Sequence, residues 1–293
     1  NLSPSAFLAS LHSAAPLMSS LLPPHLAEIP DELSDRVLRA WETLSGPCCP
    51  VGSEACRQRS WDDGACQALS THLLELAGPV DRARLLASSS PGSGAWLQAF
   101  PCANLGLRLG KEELRIAVGL RLGVPLVRAH RCRCGAEVDV RGLHGLSCRR
   151  SAGRYRRHAL ANDVLLRAIR STNIHAELEP PRLLRGDGKR PDGATLDPWS
   201  GGRYLVWDFT CPDTLAPSHL PQSSCLAGSA ASNAEQSKCI KYRDFQALGD
   251  YIFIPIAIET LGSLGPAASS FCEELGLSLI HISEPPRQAE IAD

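Results

Sequence analysis

The feature that most constrains the fold is the apolar run 203-RYLVWDFT-210, which encloses an acid, Asp208. Short runs with few polar residues are typical of strands that are buried on both faces. Further strand-like runs lie at 174–179, 192–196 and 251–260. Helical patterns precede the first run, from about 154 to 171, and the last one, from about 230 to 248. The order helix, three strands, helix, strand predicts an α/β fold.

Two acids flank the predicted hairpin in the stretch 188-GKRPDGATLDPWSGGRYLVWDFT-210. Asp192 follows a proline, which favours extended backbone at Arg190, and Asp208 lies near the end of the next run. If the two strands pair across the loop 197–202, both carboxylates meet at one edge of the sheet. Two carboxylates, completed by waters and a phosphate oxygen, suit the octahedral oxygen shell of Mg²⁺. These acids therefore predict a magnesium site that acts on phosphate.

A cation for such a site is available from the helix 230-ASNAEQSKCIKYRDFQAL-248. The spacing i, i+3, i+7 places Glu235, Lys238 and Tyr242 on one face, with Lys241 slightly around the helix. A lysine beside a scissile phosphate offsets the charge that develops there. The alternative is that Asp192 is a turn residue and that the lysines are solvated.

The segment 130-HRCRCGAEVDVRGLHGLSC-148 concentrates soft metal ligands. The predicted ligands of a closed tetrahedral zinc site are Cys132, Cys134, His144 and Cys148. Zinc would fold a loop that is too small to have a core of its own. His130 could replace one of the cysteines, and accidental clustering of core thiols is the alternative.

Arginine supplies the positive charge between residues 127 and 168, although the formal net charge of the whole chain is only −1. The guanidinium fork suits phosphate oxygens, so this stretch predicts a surface that contacts nucleic acid. The residues expected to do so are Arg149, Arg150, Arg154, Arg156, Arg157 and, next to the acids, Arg190. The alternative is a solvated helix face.

The composition limits the cellular compartments in which the chain is expected. No stretch approaches the roughly 20 apolar residues of a membrane span, and no signal peptide is visible, so no membrane partner is expected. Twelve cysteines in a chain without such a signal favour a reducing compartment, nucleus or cytoplasm, and not secretion. The chain starts on Asn and holds a single Met, which favours a piece of a longer protein.

Three features together resemble a known family: Arg190-Pro191-Asp192, then Asp208-Phe209-Thr210, then Lys238 with Tyr242. They look like the PD-(D/E)XK restriction-like endonuclease domain at the C-terminus of some non-LTR retrotransposon polyproteins, where the nuclease follows a reverse transcriptase, a linker and a Cys-Cys-His-Cys knuckle. Similar phrases are 93-SGAWLQAFP-101, 112-EELRIAVGLRLGVPL-126, 142-GLHGLSC-148 and 204-YLVWDFTCPDT-214. The resemblance covers roughly residues 93 to 271.

The resemblance implies a restriction-endonuclease-like α-β-β-β-α-β core and a metal-dependent DNA endonuclease. In that family the enzyme nicks chromosomal DNA, and the freed 3′ end primes reverse transcription. By position, Asp192 and Asp208 would be Mg²⁺ ligands, Lys238 or Lys241 the catalytic cation, and Tyr242 a support. The implied partners are target DNA, element RNA and the reverse transcriptase part of the polyprotein. The alternative is an inactive fragment that binds nucleic acid through the knuckle and the arginines.

Two positions depart from the commonest form of the motif. Thr210 stands where lysine is usual, so activity would depend on a lysine from the helix. The family often adds a further acid from the first helix or strand, for which the candidates are Asp163, Glu177 and Glu179.

Five segments are predicted: a helical linker-like region at 1–92, a helical connector at 93–127, the zinc knuckle at 128–150, the nuclease domain at 151–276 and a tail at 277–293. The tail does not match the family and resembles translated adaptor or vector sequence, with a genuine extension as the alternative.

Overall fold

The computed structural model describes residues 4–21, 23, 31–46, 49–105, 107–181, 183, 190–243, 247 and 249–283. The chain divides into two compact units, Asn1–Ala77 and Gly78–Asp293. Among the helices described, none combines the length and apolar character that crossing a bilayer requires.

The first unit is helical, as the apolar spacing predicts. Its elements are α1 (Pro4–Leu21), α2 (Asp31–Ser45), a 3₁₀ helix (Gly52–Cys56) and α3 (Gln58–Leu76). Two tryptophans form the centre of its core, because Trp41 and Trp61 are both 1% exposed and pack edge to face with ring centroids 4.9 Å apart. Each indole N–H is satisfied: Trp41 donates to the carbonyl of Trp61 (3.0 Å), and Trp61 to that of Ala55 (2.8 Å).

The second unit carries both candidate sites. Before the larger sheet it contains α4 (Pro79–Ser89), 3₁₀ helices at Ala95–Leu97 and Ala103–Leu105, α5 (Lys111–Leu122), β1 (His130–Arg131), β2 (Glu137–Val138) and α6 (His144–Ser147). The sheet and its helices follow: α7 (Ala152–Arg170), β3 (Ala176–Leu178), β4 (Gly193–Thr195), β5 (Tyr204–Thr210), α8 (Leu220–Ser223), α9 (Ser229–Lys241), β6 (Tyr251–Ala257) and α10 (Pro266–Ser283).

The larger sheet has the strand order β3-β4-β5-β6. β3, β4 and β5 pair antiparallel, and β6 lies parallel to β5 over its whole length, with Tyr204 opposite Tyr251 and Thr210 opposite Ala257. The helices α8 and α9 make the crossover that a parallel pair requires. The predicted mixed α/β class is confirmed, and the strands follow one another in the predicted order.

The central strand β5 is buried on both faces, as its near-continuous apolar run predicts. Leu205, Trp207 and Phe209 point into a core shared with α7 and α10. Val206, between them, packs in a second cluster with Tyr242, which follows α9. This alternation brings α7 and α9 to opposite faces of the same strand.

Buried carboxylates hold the N-termini of two helices. Glu259, just after β6, accepts the backbone N–H of Ala231 in the first turn of α9 (3.1 Å). Glu235 within α9 accepts the N–H groups of Ala267 (3.0 Å) and Ala268 (2.9 Å) at the start of α10. Helix N-termini carry unpaired donors and partial positive charge, which these acids satisfy. Glu235, which was expected on the same face as Lys238, therefore binds the N-terminus of α10.

The boundary between the two compact units lies at 77/78, within the region 1–92 that is predicted to be helical and linker-like. The segment 88–94 is ordered within the second unit: Ser93 is 3% exposed, and its carbonyl accepts a bond from Arg121 (3.2 Å). In the same unit Ala83 and Ala87 of α4 pack with Leu215 and other apolar residues.

The predicted tail at 277–293 begins inside α10, which continues to Ser283. Leu279 is partly buried against the core shared by β5, α7 and α10, so this first part of the tail belongs to the fold. The residues from 284 onward lie outside the described part of the chain.

Gly193, the residue after Asp192, is required by a close approach, since a Cβ there would overlap the Trp207 indole. We expect Gly193→Ala to lower the free energy of unfolding by about 1–3 kcal/mol, because the buried indole must shift. Urea unfolding followed by circular dichroism measures this.

The matched control is Gly276→Ala in α10, where a Cβ meets nothing within 4 Å. That change is expected to be neutral or stabilising by up to roughly 1 kcal/mol, because alanine is the better helix former. Equal effects of the two substitutions would contradict the packing of Trp207 on Gly193.

Candidate active site and metal centre

Asp192 and Asp208 are brought together by the pairing of β4 with β5, in which Gly193 lies opposite Trp207. The backbone N–H of Asp192 donates to the carbonyl of Trp207 (3.0 Å), and the N–H of Phe209 donates to Asp192 Oδ2 (2.7 Å). Asp192 is thus held by the residues immediately before and after Asp208.

Asp208 points to the α9 face of β5, where its side chain is 4% exposed. Lys238 Nζ forms an ion pair with Asp208 Oδ2, and the Tyr242 hydroxyl lies 2.8 Å from Oδ1. Lys241 Nζ is more distant, 3.9 Å from Oδ1, and donates instead to the Tyr242 hydroxyl (2.8 Å). Of the two candidate lysines, Lys238 has the direct contact with this acid.

Tyr242 connects the predicted catalytic groups. Its side chain is fully buried, and its hydroxyl lies 2.8 Å from the Arg190 carbonyl as well as from Asp208. The segment that leads into Asp192 is therefore tied to the end of α9. The Arg190 guanidinium turns away and pairs with Glu179 (2.9 Å).

The two acids influence each other electrostatically. Burial raises the pKa of Asp192, and the nearby charge of Asp208 raises it further, against the lowering effects of the Phe209 N–H, of His158 and of the Asn162 amide. Two carboxylates held close together in a partly buried site are an arrangement that a bound cation stabilises.

His158, which was not among the predicted site residues, completes the Asp192 side of the site. His158 Nε2 on α7 lies 3.0 Å from Asp192 Oδ2. The acids proposed as additional metal ligands are placed differently. Asp163 forms an ion pair with Arg167 (3.0 Å) and Glu179 forms one with Arg190, whereas Glu177 lies on β3. The contact of His158 could not be read from spacing, since it depends on how α7 crosses the sheet.

A cavity of about 300 Å³ opens beside His158. It is lined by Arg154, Tyr155, Arg157, His158, Thr210 and Cys211. Thr210 and Cys211, at the end of β5, thus line the same cavity as two arginines from α7. Burial raises the pKa of the Cys211 thiol, which favours its neutral form.

Of the remaining predicted phosphate contacts, Arg150 lies beside the Cys/His cluster. Arg149 and Arg156 are exposed, and Arg150 donates to the carbonyl of Arg133 (2.7 Å). Arg141, within the same arginine-rich stretch, forms a bidentate pair with Asp81 of α4 at 2.9 and 3.1 Å, so its role is structural.

The Cys/His cluster folds as predicted for a ligand set. The ligand atoms of Cys132, Cys134, His144 and Cys148 all lie within 4.8 Å of one another. A short hairpin of β1 and β2 presents the first two cysteines, with Gly135 at its turn (φ 95°), and α6 presents the histidine. His130 lies outside this group, and its Nδ1 contacts the Arg128 carbonyl (2.8 Å).

The thiols of this cluster differ in acidity. Against a lowering backbone hydrogen bond at Arg150, the pKa of Cys148 is raised by burial and by the neighbouring Cys134 and Cys132. A hydrogen bond from the Ala136 backbone N–H, with a further one from the Cys132 thiol, lowers the pKa of Cys134 to about 6. Since the thiolate is the form that binds metal, this sulfur is prepared for coordination near neutral pH. The Cys₃His group could hold a metal ion such as zinc.

Comparisons of the chain with protein-family models and with curated protein sequences find no match.

The raised pKa of Asp192 has a consequence for stability. A folded-state pKa above the unfolded value, near 3.9 for aspartate, gives stability that is present below that value and lost as the pH rises through the folded pKa. We therefore expect Asp192→Asn, which does not titrate, to gain stability relative to wild type between pH 4 and pH 7. Urea unfolding at both pH values measures this.

Asp197 is the control with the opposite sign. Hydrogen bonds from the His175 backbone and ring lower its pKa, so wild type gains stability as the pH rises towards the unfolded value of about 3.9. Asp197→Asn should therefore lose stability relative to wild type as the pH rises from about 2 to about 4, measured in the same way. If Asp192→Asn followed Asp197→Asn in direction, the raised pKa of Asp192 in the folded protein would be refuted.

For the metal centre, we expect the purified chain to contain about one zinc per molecule, and Cys148→Ser to lose most of it. Inductively coupled plasma mass spectrometry measures the content. Cys225→Ser is the matched control, because Cys225 is exposed and outside the cluster. Full zinc in Cys148→Ser would show that the metal is bound elsewhere.

Proposed function

We propose that the second unit is a metal-dependent DNA endonuclease of the restriction-like PD-(D/E)XK class, with its core close to the predicted range 151–276. The observation that carries the proposal is the contact network of Asp192, Asp208 and Lys238, joined by Tyr242. Two acids from adjacent strands and a lysine from a crossover helix are the groups that this chemistry requires.

The element order supports the same class. A helix, three antiparallel strands, a crossover helix and a parallel strand are what the resemblance implies, and the acids lie where β4 and β5 pair. The lysine lies in α9 instead of two residues after Asp208, where Thr210 lines the adjacent cavity.

The donor set fits a hard divalent cation. Asp192 and Asp208 would hold Mg²⁺, because both offer carboxylate oxygens and their mutual repulsion would be relieved by positive charge. When bound, the metal would polarise the phosphate and favour deprotonation of water.

The protein groups have separable roles in phosphodiester hydrolysis. Water adds to phosphorus, the bond from phosphorus to the 3′ oxygen breaks, and the proton lost by water replaces phosphorus on that oxygen. Lys238, beside Asp208, offsets the negative charge that grows on the phosphate. Tyr242 and the Phe209 N–H hold the two carboxylates in place. The products are a 5′ phosphate and a 3′ hydroxyl.

The arginines would contact the phosphate backbone of DNA. Arg154 and Arg157 line the cavity beside His158, and Arg149, Arg150 and Arg156 are exposed nearby in sequence, so they are available to phosphates. Zinc in the Cys₃His cluster would stabilise the segment that precedes α7. The 3′ hydroxyl that the cut produces would serve as a primer for a reverse transcriptase from the same retrotransposon polyprotein. Element RNA would be the template, and the reaction would take place in the nucleus or cytoplasm.

The test is nicking of supercoiled plasmid by the purified chain with Mg²⁺ and with EDTA. We expect metal-dependent conversion to open circles, and a loss of at least about a hundredfold in rate for Asp192→Asn, Asp208→Asn and Lys238→Met. Lys241→Met is the matched control, with a loss of less than roughly tenfold, because Lys241 bonds to Tyr242 and reaches Asp208 only at 3.9 Å.

Two outcomes would contradict the proposal. Equal nicking by wild type and Asp192→Asn would mean that the activity belongs to a contaminant. An intact plasmid that shifts on a gel with both proteins would leave a nucleic-acid-binding module that uses the knuckle and the arginines.

A further inference from the structure

Four side chains form an unbroken series from the core to Asp192. The Trp207 indole Nε1 lies 3.0 Å from Asn162 Oδ1, Asn162 Nδ2 lies 3.3 Å from His158 Nδ1, and His158 Nε2 lies 3.0 Å from Asp192 Oδ2. Asn162 and His158 are one helical turn apart on α7, so they share a face of that helix. The series therefore links the sheet interior to the proposed site.

The first member fixes the direction of every bond in the series. An indole N–H donates and cannot accept, so the Asn162 atom that faces it must be the oxygen. The Asn162 NH₂ group then faces His158, whose Nδ1 has to accept. A neutral imidazole with an unprotonated Nδ1 carries its proton on Nε2, and this proton points at the Asp192 carboxylate.

Burial keeps the series in this order. Trp207 is fully buried and Asn162 is 4% exposed, so neither can exchange its partner for water without moving. Gly193 leaves room for the indole, as described above. The asparagine amide cannot turn over, because that would set its NH₂ group against the indole N–H.

We infer that His158 is a positioning residue of the proposed nuclease, held by Trp207 and Asn162 in the tautomer that donates from Nε2 to Asp192. The consequence for catalysis rests on the proposed function, whereas the tautomer does not. The imidazole and the Phe209 N–H both donate to Oδ2 of Asp192, which restrains the rotation of the carboxylate. Groups that orient a metal ligand in this way typically contribute about 10–100-fold in metal affinity.

The tautomer is tested by long-range ¹H–¹⁵N NMR of the full chain at about pH 8.5, above the ordinary pKa of histidine. The His158 signals are identified as those that disappear in His158→Gln. We expect a protonated Nε2 and an unprotonated Nδ1. A proton on Nδ1, alone or together with one on Nε2, would overturn the inference whether or not the chain cuts DNA.

The positioning role is tested by binding of Mn²⁺, followed through the EPR signal of the free ion, and by the Mg²⁺ concentration that gives half-maximal nicking. In His158→Leu we expect both to weaken by about 10–100-fold, with partial recovery in His158→Gln, whose amide can donate again. Unchanged Mn²⁺ affinity in His158→Leu would overturn the positioning role.

The matched control is His175→Leu. His175 Nδ1 makes a similar contact with a carboxylate, 2.7 Å from Asp197 Oδ2, but at an exposed position. The His175→Leu substitution should leave Mn²⁺ binding and nicking unchanged. A loss equal to that of His158→Leu would contradict a specific positioning role of His158. If wild type binds Mn²⁺ but does not nick, the proposed function fails while the NMR and Mn²⁺ results still decide the inference.

Discussion

The ion pair between Asp208 and Lys238 is the interaction on which the arrangement of the second unit depends. Asp208 lies in the central strand with its side chain 4% exposed, where an unpaired carboxylate would be strongly unfavourable. Removal of one partner from such a buried pair typically costs about 3–5 kcal/mol, whereas replacement of both by apolar residues is often neutral. A fold selected for stability alone has no need of the pair. Tyr242 contacts Asp208 and the Arg190 carbonyl, so loss of the pair would also disturb the segment that leads into Asp192.

The surrounding elements act as supports for that pair. Lys238 is carried by α9, whose first turn is held by Glu259 after β6 and whose own Glu235 holds the start of α10. On the opposite face of the sheet, α7 presents His158 to Asp192. The two acids are therefore approached by different helices from different sides, and the sheet between them sets their relation. Asp208, Lys238 and His158 lie within regular elements, and Asp192 and Tyr242 lie directly beside them, before β4 and after α9, which favours a fixed geometry.

Much of this could be predicted from sequence, because the signals were local. The apolar run of β5 and the proline before Asp192 each reflect the backbone near them, and the Cys/His spacing brought four ligands into reach. The remaining contacts depend on tertiary packing and could not be predicted from local sequence. Helical spacing placed Glu235 with Lys238, although α9 is bounded by the sheet and by α10 and the glutamate faces the latter. The contact of His158 depends on the crossing of α7 over the sheet, which spacing does not encode.

The bond between Glu235 and the start of α10 bears on how the chain tolerates shortening. Glu235 is 5% exposed, and its two oxygens take the N–H groups of Ala267 and Ala268. A chain that stopped before Pro266 would retain α9 and every predicted catalytic residue, yet it would leave a buried negative charge without those donors. The resulting loss of free energy would destabilise α9, the helix that carries Lys238. In a gene that decays from its 3′ end, Lys238 would therefore lose the support of its helix before its own codon was changed.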